Sequence, residues 1–291
     1  MRQAKVSGAL LCVAVMLSGA RPAQAQATFG IDLDLFSSYV WRGLSLTNKP
    51  VAEPGVWVNF PAGHGSITVG GWANIDLGEY DDIDDDISES GGTSAFNPSE
   101  FDPYAEISFP AGSATLTGGV IGYIYPNDLD DAPNGGLDSD ANTLEVYGKL
   151  GFDVPLSPEL AVYYDIDKIK GAYIEANLSH SLAAGENISI DLGATGGFSA
   201  GQGVPDDPLS EESFNFADDG FTHLDLSLGV PFGAGPVSIT PVLHAVITGD
   251  DATKVTSPTD VDTGTKLWGG VSLSWSNEAA EEESEAPASP E

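Results

Sequence analysis

The sequence predicts an all-β fold, a transmembrane antiparallel up-and-down β-barrel of about twelve strands. Polar and apolar residues alternate over segments of about nine to twelve residues, which is typical of strands with one polar and one apolar face. Short connections rich in proline and glycine alternate with longer acidic ones, as in outer-membrane barrels, whose short turns are periplasmic. No stretch of about 18 continuous apolar residues follows the amino-terminal region, so transmembrane helices are excluded.

The amino terminus has the features of a secretory signal peptide. Arg2 and Lys5 precede an apolar run at 8–16, and residues 23–25 (AQA) fit the small-x-small pattern before a signal-peptidase site. A retained membrane anchor is the alternative interpretation. We therefore predict a signal peptide at 1–25, the barrel at 26–275 and an acidic disordered tail at 276–291.

The strands are predicted from the alternation, which is clearest at 66–77, 187–198 and 222–230. A soluble β-sandwich is the alternative, but its strands are usually only about five or six residues long. The predicted strands are 29–44, 51–60, 65–77, 101–109, 113–125, 142–153, 159–165, 169–182, 187–198, 221–230, 236–248 and 265–275. The short turns are 61–65, 110–112, 155–158, 183–186 and 231–236, and the connections at the other end are 46–50, 78–100, 126–141, 165–168, 199–220 and 249–264.

The charge is strongly one-sided, with 10 Lys and Arg against 44 Asp and Glu and a formal net charge of −34. Nucleic acid is excluded as a partner, because binding to phosphates requires clustered basic residues. Broad acidity is also typical of proteins from saline environments, and it can equally create a field that gathers cations. The sole cysteine, Cys12, lies in the predicted signal, so no disulfide is expected in the mature chain.

The polar faces of the predicted strands carry many more acidic than basic residues. Because the basic residues are too few to pair with all of these carboxylates in a dry interior, we predict a hydrated lumen that favours cations. A narrow barrel with carboxylates only at its wet ends is the alternative. The pore-lining candidates are Asp32, Asp34, Arg42, Glu53, Asp76, Glu106, Glu145, Lys149, Glu175, Asp191, Asp225 and Lys266, and Asp102, Asp153 and Asp165 are also predicted to face inward.

The other faces are apolar and predicted to contact lipid. Aromatic residues near strand ends are expected to form a girdle at the membrane interface. The lipid-facing set begins with Leu33, Leu35, Tyr39, Trp41, Val56, Val58 and Phe60, and the girdle comprises Trp41, Phe60, Phe109, Phe152 and Trp275.

No metal site, cofactor or catalytic residue is predicted. The acidic loops at 80–90 and 127–140 lack the ligand spacing of a calcium-binding loop, so a defined metal site is not expected. His223 and His244 are predicted to face inward near the loop end, and His64 and His180 lie near short turns. No serine accompanies them in a recognisable catalytic motif, so an enzyme is not expected.

The first strands resemble a known family. The segments DLFSSYVWRGLSLTNKPVAEPGVWVNF (34–60), GGWANIDLG (70–78) and EFDPYAEISF (100–109) are similar to the opening of the TorF-like porins, a Gram-negative family of outer-membrane barrels without a defined substrate. The resemblance implies a porin and supplies no catalytic residues. It covers about the first quarter of the mature chain, and the acidic tail departs from the usual terminal aromatic residue of such barrels.

The predicted function is passive, cation-favouring diffusion of small solutes across the outer membrane of a Gram-negative bacterium. The expected partners are outer-membrane lipid, the barrel-assembly machinery and small solutes or cations, and both termini are expected in the periplasm. The alternatives are a closed barrel that acts as a structural or surface-interaction protein through its acidic loops and, more remotely, a barrel-borne lipid hydrolase.

Overall fold

The computed structural model describes residues 26–80, 95–126, 142–185, 188–205, 213–249 and 266–277. The described segments consist of strands, turns and irregular connections. No helix in these segments is long and apolar enough to cross a membrane. The predicted signal peptide, the predicted tail beyond residue 277 and most of the acidic loops at 80–90 and 127–140 lie outside the described residues.

The wall is a closed barrel of twelve antiparallel strands, as predicted. Two further strands form a small separate sheet, and one short strand extends a turn. The strands are β1 (Thr28–Phe36), β2 (Tyr39–Trp41), β3 (Leu44–Thr47), β4 (Val51–Ala62), β5 (Gly65–Asp76), β6 (Asn97–Ala111), β7 (Ala114–Tyr123), β8 (Thr143–Phe152), β9 (Glu159–Asp165), β10 (Ala172–Ala183), β11 (Ser189–Ala200), β12 (Gly220–Gly229), β13 (Phe232–Ala234), β14 (Val237–Thr248) and β15 (Lys266–Ser276).

Pairing of the first and last strands closes the barrel. β1 pairs with both β4 and β15, and β12 pairs with β14, while β13 pairs with β14 and its Phe232 also forms an isolated bridge with Ile188. The strand order follows the chain order, so every connection joins neighbouring strands. The beginning of β1 and the end of β15 lie at the same end as the short turns, and the longer connections lie at the opposite end.

The outer surface is apolar, because every second residue of the wall strands turns its side chain outward. Exposed large hydrophobic residues follow one another along the strands, for example Leu178 and Leu182 on β10 and Leu226 and Leu228 on β12. Phe60, Phe109 and Phe152 are exposed beside short turns, as the girdle prediction requires. A second ring lies near the longer connections and comprises Phe101, Tyr164, Phe198 and Phe221.

The first strand is shorter than predicted. β1 ends at Phe36, and the chain then leaves the wall and forms the β2–β3 hairpin before it returns as β4. Tyr39 is only 4% exposed and Trp41 packs against Tyr123 inside the barrel, so the prediction that both aromatic residues face lipid is wrong. The 37–50 segment, which we call the lumen hairpin, is a part of the interior.

The tip of the lumen hairpin is a two-residue turn. Arg42 and Gly43 have φ angles of 48° and 86°, and Trp41 pairs directly with Leu44 across the turn. Two consecutive residues with positive φ are typical of a tight hairpin turn whose twist matches that of its strands. The arginine therefore adopts a backbone conformation that glycine and asparagine prefer. Such a conformation persists where surrounding contacts hold it in place.

Candidate functional site

The lumen hairpin crosses the interior and contacts the wall on several sides. Near its base, the Tyr39 hydroxyl donates a hydrogen bond to Glu100 Oε2 on β6 over 2.7 Å. The Tyr39 ring also packs against Trp72 on β5, with 5.4 Å between the ring centroids. Ser38 donates to the Thr47 carbonyl over 2.6 Å, which ties the two arms of the segment together. These contacts hold the hairpin inside the barrel.

The tip of the hairpin is held by a buried ion pair. Arg42 Nη1 and Nη2 donate to Glu145 Oε1 and Oε2 on β8 over 2.8 and 2.7 Å. The two side chains are 6% and 2% exposed. Tyr123 on β7 donates a further hydrogen bond to Glu145 Oε2 over 2.9 Å. A bidentate, hydrogen-bonded pair is the arrangement in which a buried carboxylate and guanidinium compensate for their lost hydration.

Aromatic rings surround the same guanidinium. Arg42 Cζ lies 4.4 Å from the centroid of the Trp41 ring, 4.9 Å from that of Tyr163 and 4.2 Å from that of Tyr173. Phe216, which precedes β12, stacks on Trp41 and on Tyr173. Each cation–π contact is worth about 0.5–2 kcal/mol, more where water is excluded. The tip therefore lies in an aromatic cage built from β9, β10 and the connection to β12.

Close packing against β12 completes the anchorage. The His223 ring forms a hydrogen bond with the backbone of Arg42. A Cβ atom on Gly43 would lie 2.5 Å from His223 Cβ, so only glycine fits at this position. His223 lies on the interior face, as the sequence predicts, and its Nδ1 is 3.1 Å from Thr222 Oγ1.

An ion pair and a histidine–carboxylate contact also lie on the interior face of the wall. Lys149 Nζ on β8 lies 3.6 Å from Glu106 Oε2 on β6, and the Tyr147 hydroxyl donates to the same carboxylate over 2.9 Å. His244 Nδ1 on β14 lies 2.8 Å from Asp225 Oδ2 on β12. The His244 ring stacks on Trp268 of β15.

Other interior carboxylates accept hydrogen bonds from neutral donors. Asp32 accepts a bond of 3.1 Å from Trp57 Nε1, and Asp34 accepts one from Ser272. Asp191 accepts bonds of 2.6 and 3.0 Å from the Ser181 and Ser189 hydroxyls. Glu175 accepts one of 2.9 Å from Asn177. Such donors leave the negative charge of each carboxylate uncompensated.

A cavity of about 430 Å³ lies between the hairpin and the wall. This volume is in the range of small-molecule sites, about 300–1,000 Å³. The lining combines aromatic rings with carboxylates and is completed by Arg42. The lining includes Glu53, Trp72, Asp102, Tyr104, Tyr123, Tyr163 and Glu175.

The predicted pore-lining residues all lie on interior positions of the structure. Arg42 lies at the tip of the hairpin, and the others lie on interior faces of wall strands. Their strands are β1 for Asp32 and Asp34, β4 for Glu53, β5 for Asp76, β6 for Glu106, β8 for Glu145 and Lys149, β10 for Glu175, β11 for Asp191, β12 for Asp225 and β15 for Lys266. Asp102 and Asp165 are also interior, whereas Asp153 is exposed in a short turn, so the prediction that it faces inward is wrong.

The sequence interpretation missed the residues that hold the hairpin. Tyr39, Glu100, Tyr173 and Phe216 are all at most 4% exposed, and none was predicted to contribute to an interior site. One signal was present: the predicted 29–44 strand is about 16 residues long, whereas a tilted strand crosses a bilayer in about 9–11 residues. The excess length is the chain that turns into the lumen.

Among the described residues, no group of three or more His, Cys, Asp and Glu side chains is placed to hold a metal ion. His244 contacts Asp225 and the His223 side chain contacts Thr222, so these histidines are arranged with an aspartate and a threonine. The arrangement offers charge and aromatic surface for binding and passage.

The architecture defines a class: a closed twelve-stranded antiparallel barrel with an apolar exterior and an acidic interior that a hairpin crosses. The family model described as "Bacterial protein of unknown function (Gcw_chp)" matches residues 20–199, more than half of the chain. The chain therefore belongs to this family of bacterial proteins. No curated protein matches the sequence.

Several solved structures are similar to this barrel. An outer membrane channel from Pseudomonas putida F1 has 8% identity and a TM-score of 0.49, with 88% of this chain and 99% of that chain covered. The NanC porin has 10% identity and a TM-score of 0.42, with 86% and 99% covered. The translocator domain of the autotransporter NalP from Neisseria meningitidis has 10% identity and a TM-score of 0.39, with 92% and 93% covered. Similarity at this level carries no inference about activity.

Proposed function

We propose that this chain is a bacterial outer-membrane barrel through which small solutes diffuse passively, with a preference for cations. The apolar exterior supports a location in a membrane, because so large an apolar surface would be unfavourable in water. Aromatic residues at both ends of the wall are typical of barrels that span a bilayer. The predicted signal peptide supports export, and the start of β1 and the end of β15, which lie at the same end as the short turns, support periplasmic termini.

The observation that carries the cation preference is the excess of carboxylates on the interior face. On the described wall strands and at the tip of the lumen hairpin, the Lys and Arg side chains that face the interior are Arg42, Lys149 and Lys266. Arg42 and Lys149 are paired with Glu145 and Glu106. Rings of carboxylates favour cations in pores. The interior carboxylates include Asp32, Asp34, Glu53, Asp76, Glu100, Asp102, Glu106, Glu145, Asp165, Glu175, Asp191 and Asp225.

The lumen hairpin supports restriction to small solutes, because it occupies the interior between opposite sides of the wall. The same observation favours the second candidate, a closed barrel that acts as a structural or surface-interaction protein. The resemblance to TorF-like porins agrees with the first candidate, and its assignment to that group remains a prediction. A lipid hydrolase is disfavoured, because the side-chain contacts of the two interior histidines are with Thr222 and Asp225 and not with a serine hydroxyl.

Recording from the purified protein in planar lipid bilayers tests the proposal. Discrete conductance steps and a reversal potential displaced towards that of K⁺ in a KCl gradient are expected. Replacing both Asp32 and Asp34 with asparagine should reduce the cation preference, since both carboxylates lie on the interior face of β1. Absence of steps at all voltages and salt concentrations would favour the closed barrel, and a preference for Cl⁻ would overturn the cation selectivity.

A further inference from the structure

The cavity beside the hairpin contains a buried carboxylate without a partner. Glu53 on β4 is 8% exposed and lines the cavity. Within the described part of the chain, its carboxylate has neither a hydrogen-bond donor nor a cation. The charged groups that act on it are the carboxylates of Asp34 and Glu100, which repel it. A buried charge in this situation is costly unless a cation from outside compensates it.

The rest of the lining also suits a cation. Asp102 and Glu175 add negative charge to the cavity, and the positive charge of Arg42 is already compensated by Glu145. Trp72, Tyr104 and Tyr163 supply aromatic surface in the same cavity. The face of an aromatic ring attracts a cation, and recognition of substituted ammonium ions commonly uses several such rings. Arg42 already makes contacts of this kind with the Tyr163 ring.

The chemistry of the lining discriminates among possible ligands. An anion would meet Glu53, Asp102 and Glu175 and is disfavoured. A metal ion prefers several oxygen ligands that converge on one point, and no such group of side chains occurs within the described ranges. An organic cation needs only one carboxylate and apolar or aromatic surface around it. The cavity volume of about 430 Å³ admits a small molecule of this class.

We propose that the cavity between the lumen hairpin and strands β4–β10 binds a small organic ammonium ion, whose charge lies against Glu53 and whose alkyl groups contact Trp72, Tyr104 and Tyr163. This inference deepens the proposed function, because it names a class of solute for the acidic lumen. It rests on the proposed function only where it implies that the ammonium ion passes through the barrel, since binding in the cavity does not require conduction.

Isothermal titration of the full-length protein in detergent micelles tests the proposal with choline as the probe. The matched neutral compound is 3,3-dimethyl-1-butanol, which has carbon in place of the ammonium nitrogen. Choline should bind at least tenfold more tightly than the alcohol. Glu53→Gln should remove most of this difference, whereas Glu79→Gln, which neutralises an exposed carboxylate beside β5, should preserve it. Trp72→Leu should weaken choline severalfold.

The outcomes separate this inference from the proposed function. Equal binding of choline and the alcohol, or unchanged choline binding by Glu53→Gln, would overturn the ammonium site. Heat-dependent mobility in SDS gels verifies that each variant is folded. Choline binding without conductance steps would overturn the diffusion proposal and leave the site intact. Cation-selective conductance steps without choline binding would overturn the ammonium site and leave the diffusion proposal intact.

Discussion

Glu145→Gln should release the lumen hairpin from its docked position. The substitution keeps the shape of the side chain and removes the charge that compensates Arg42, whose side chain is 6% exposed. Breaking a buried ion pair by removing one partner costs about 3–5 kcal/mol, because the remaining charge is left uncompensated. Each 1.4 kcal/mol is about a factor of ten, so the docking equilibrium should fall by roughly two to three and a half orders of magnitude.

Two assays report the release. Single-channel conductance in planar bilayers should rise, because the hairpin leaves the lumen. A rise in conductance is informative, since removal of an interior carboxylate would by itself lower the conductance for cations. Trypsin should also cleave after Arg42 in the variant and not in the parent protein. Lys49 does not confuse this assay, because Pro50 follows it and trypsin cleaves Lys–Pro bonds poorly.

Two controls make the reasoning refutable. Glu106→Gln breaks the pair with Lys149, whose side chains are 28% and 20% exposed, so the effect on hairpin docking should be much smaller. Replacement of both Arg42 and Glu145 with methionine removes both buried charges and should leave the hairpin docked, as for other buried pairs exchanged for apolar residues. Because this variant lacks the cleavage site at residue 42, parent-like conductance is its readout. Parent-like conductance and trypsin resistance in Glu145→Gln would refute the assigned role of the pair.

Three further substitutions test the hairpin turn, the lipid face and a loop. Gly43→Ala should undock the hairpin, because the new Cβ atom would collide with His223 and because φ at this position is +86°. Trypsin cleavage after Arg42 measures the undocking, and full resistance to trypsin would contradict the prediction. Val69→Lys, on the outer face of β5, should destabilise the barrel in lipid by about 2–4 kcal/mol in urea unfolding, whereas Thr195→Lys, on the interior face of β11, should cost clearly less. The Asp219 carboxylate beside β12 is mostly exposed, and the small loss of its hydration raises its pKa, but a hydroxyl and three backbone N–H groups hydrogen-bond to it and leave the pKa below its usual value. The stabilisation from Asp219 is therefore complete above the unfolded pKa and is lost as pH falls through the folded one, below about pH 4; hydrogen exchange of residues 199–203 should accelerate there, and Asp219→Asn should abolish the change.

The barrel wall could be predicted because its determinants are local. A strand with lipid on one side and an interior on the other alternates residue by residue, and Leu226 and Leu228 against Asp225 and Ser227 illustrate the pattern. Proline and glycine mark the short turns through their backbone preferences. Since neighbouring residues of a strand face opposite sides, odd and even positions then assign the carboxylates to the interior without any knowledge of strand pairing.

The lumen hairpin could not be predicted in the same way. Tyr39 and Trp41 alternate as wall residues do, so the local pattern fits a strand in lipid and a strand in the lumen equally well. The difference lies in the contacts of Tyr39 with Glu100 and of Arg42 with Glu145, which are 61 and 103 residues further along the chain. Such contacts exist only after the barrel closes. The cavity has the same origin, because its lining comes from strands that are distant in sequence.

The chemistry of the interior separates the tasks of the hairpin and the wall. A barrel with a purely structural role can fill its interior with packed side chains, as small closed barrels do. Here Leu44 of the hairpin packs against Tyr173 and Phe216 in a buried apolar core. Elsewhere on the wall, Asp32 and Asp191 accept hydrogen bonds only from neutral donors. Carboxylates of this kind remain charged only in contact with water. Under the proposed function, we therefore expect the hairpin to determine whether the lumen is open and the carboxylates of the wall to determine which ions enter it.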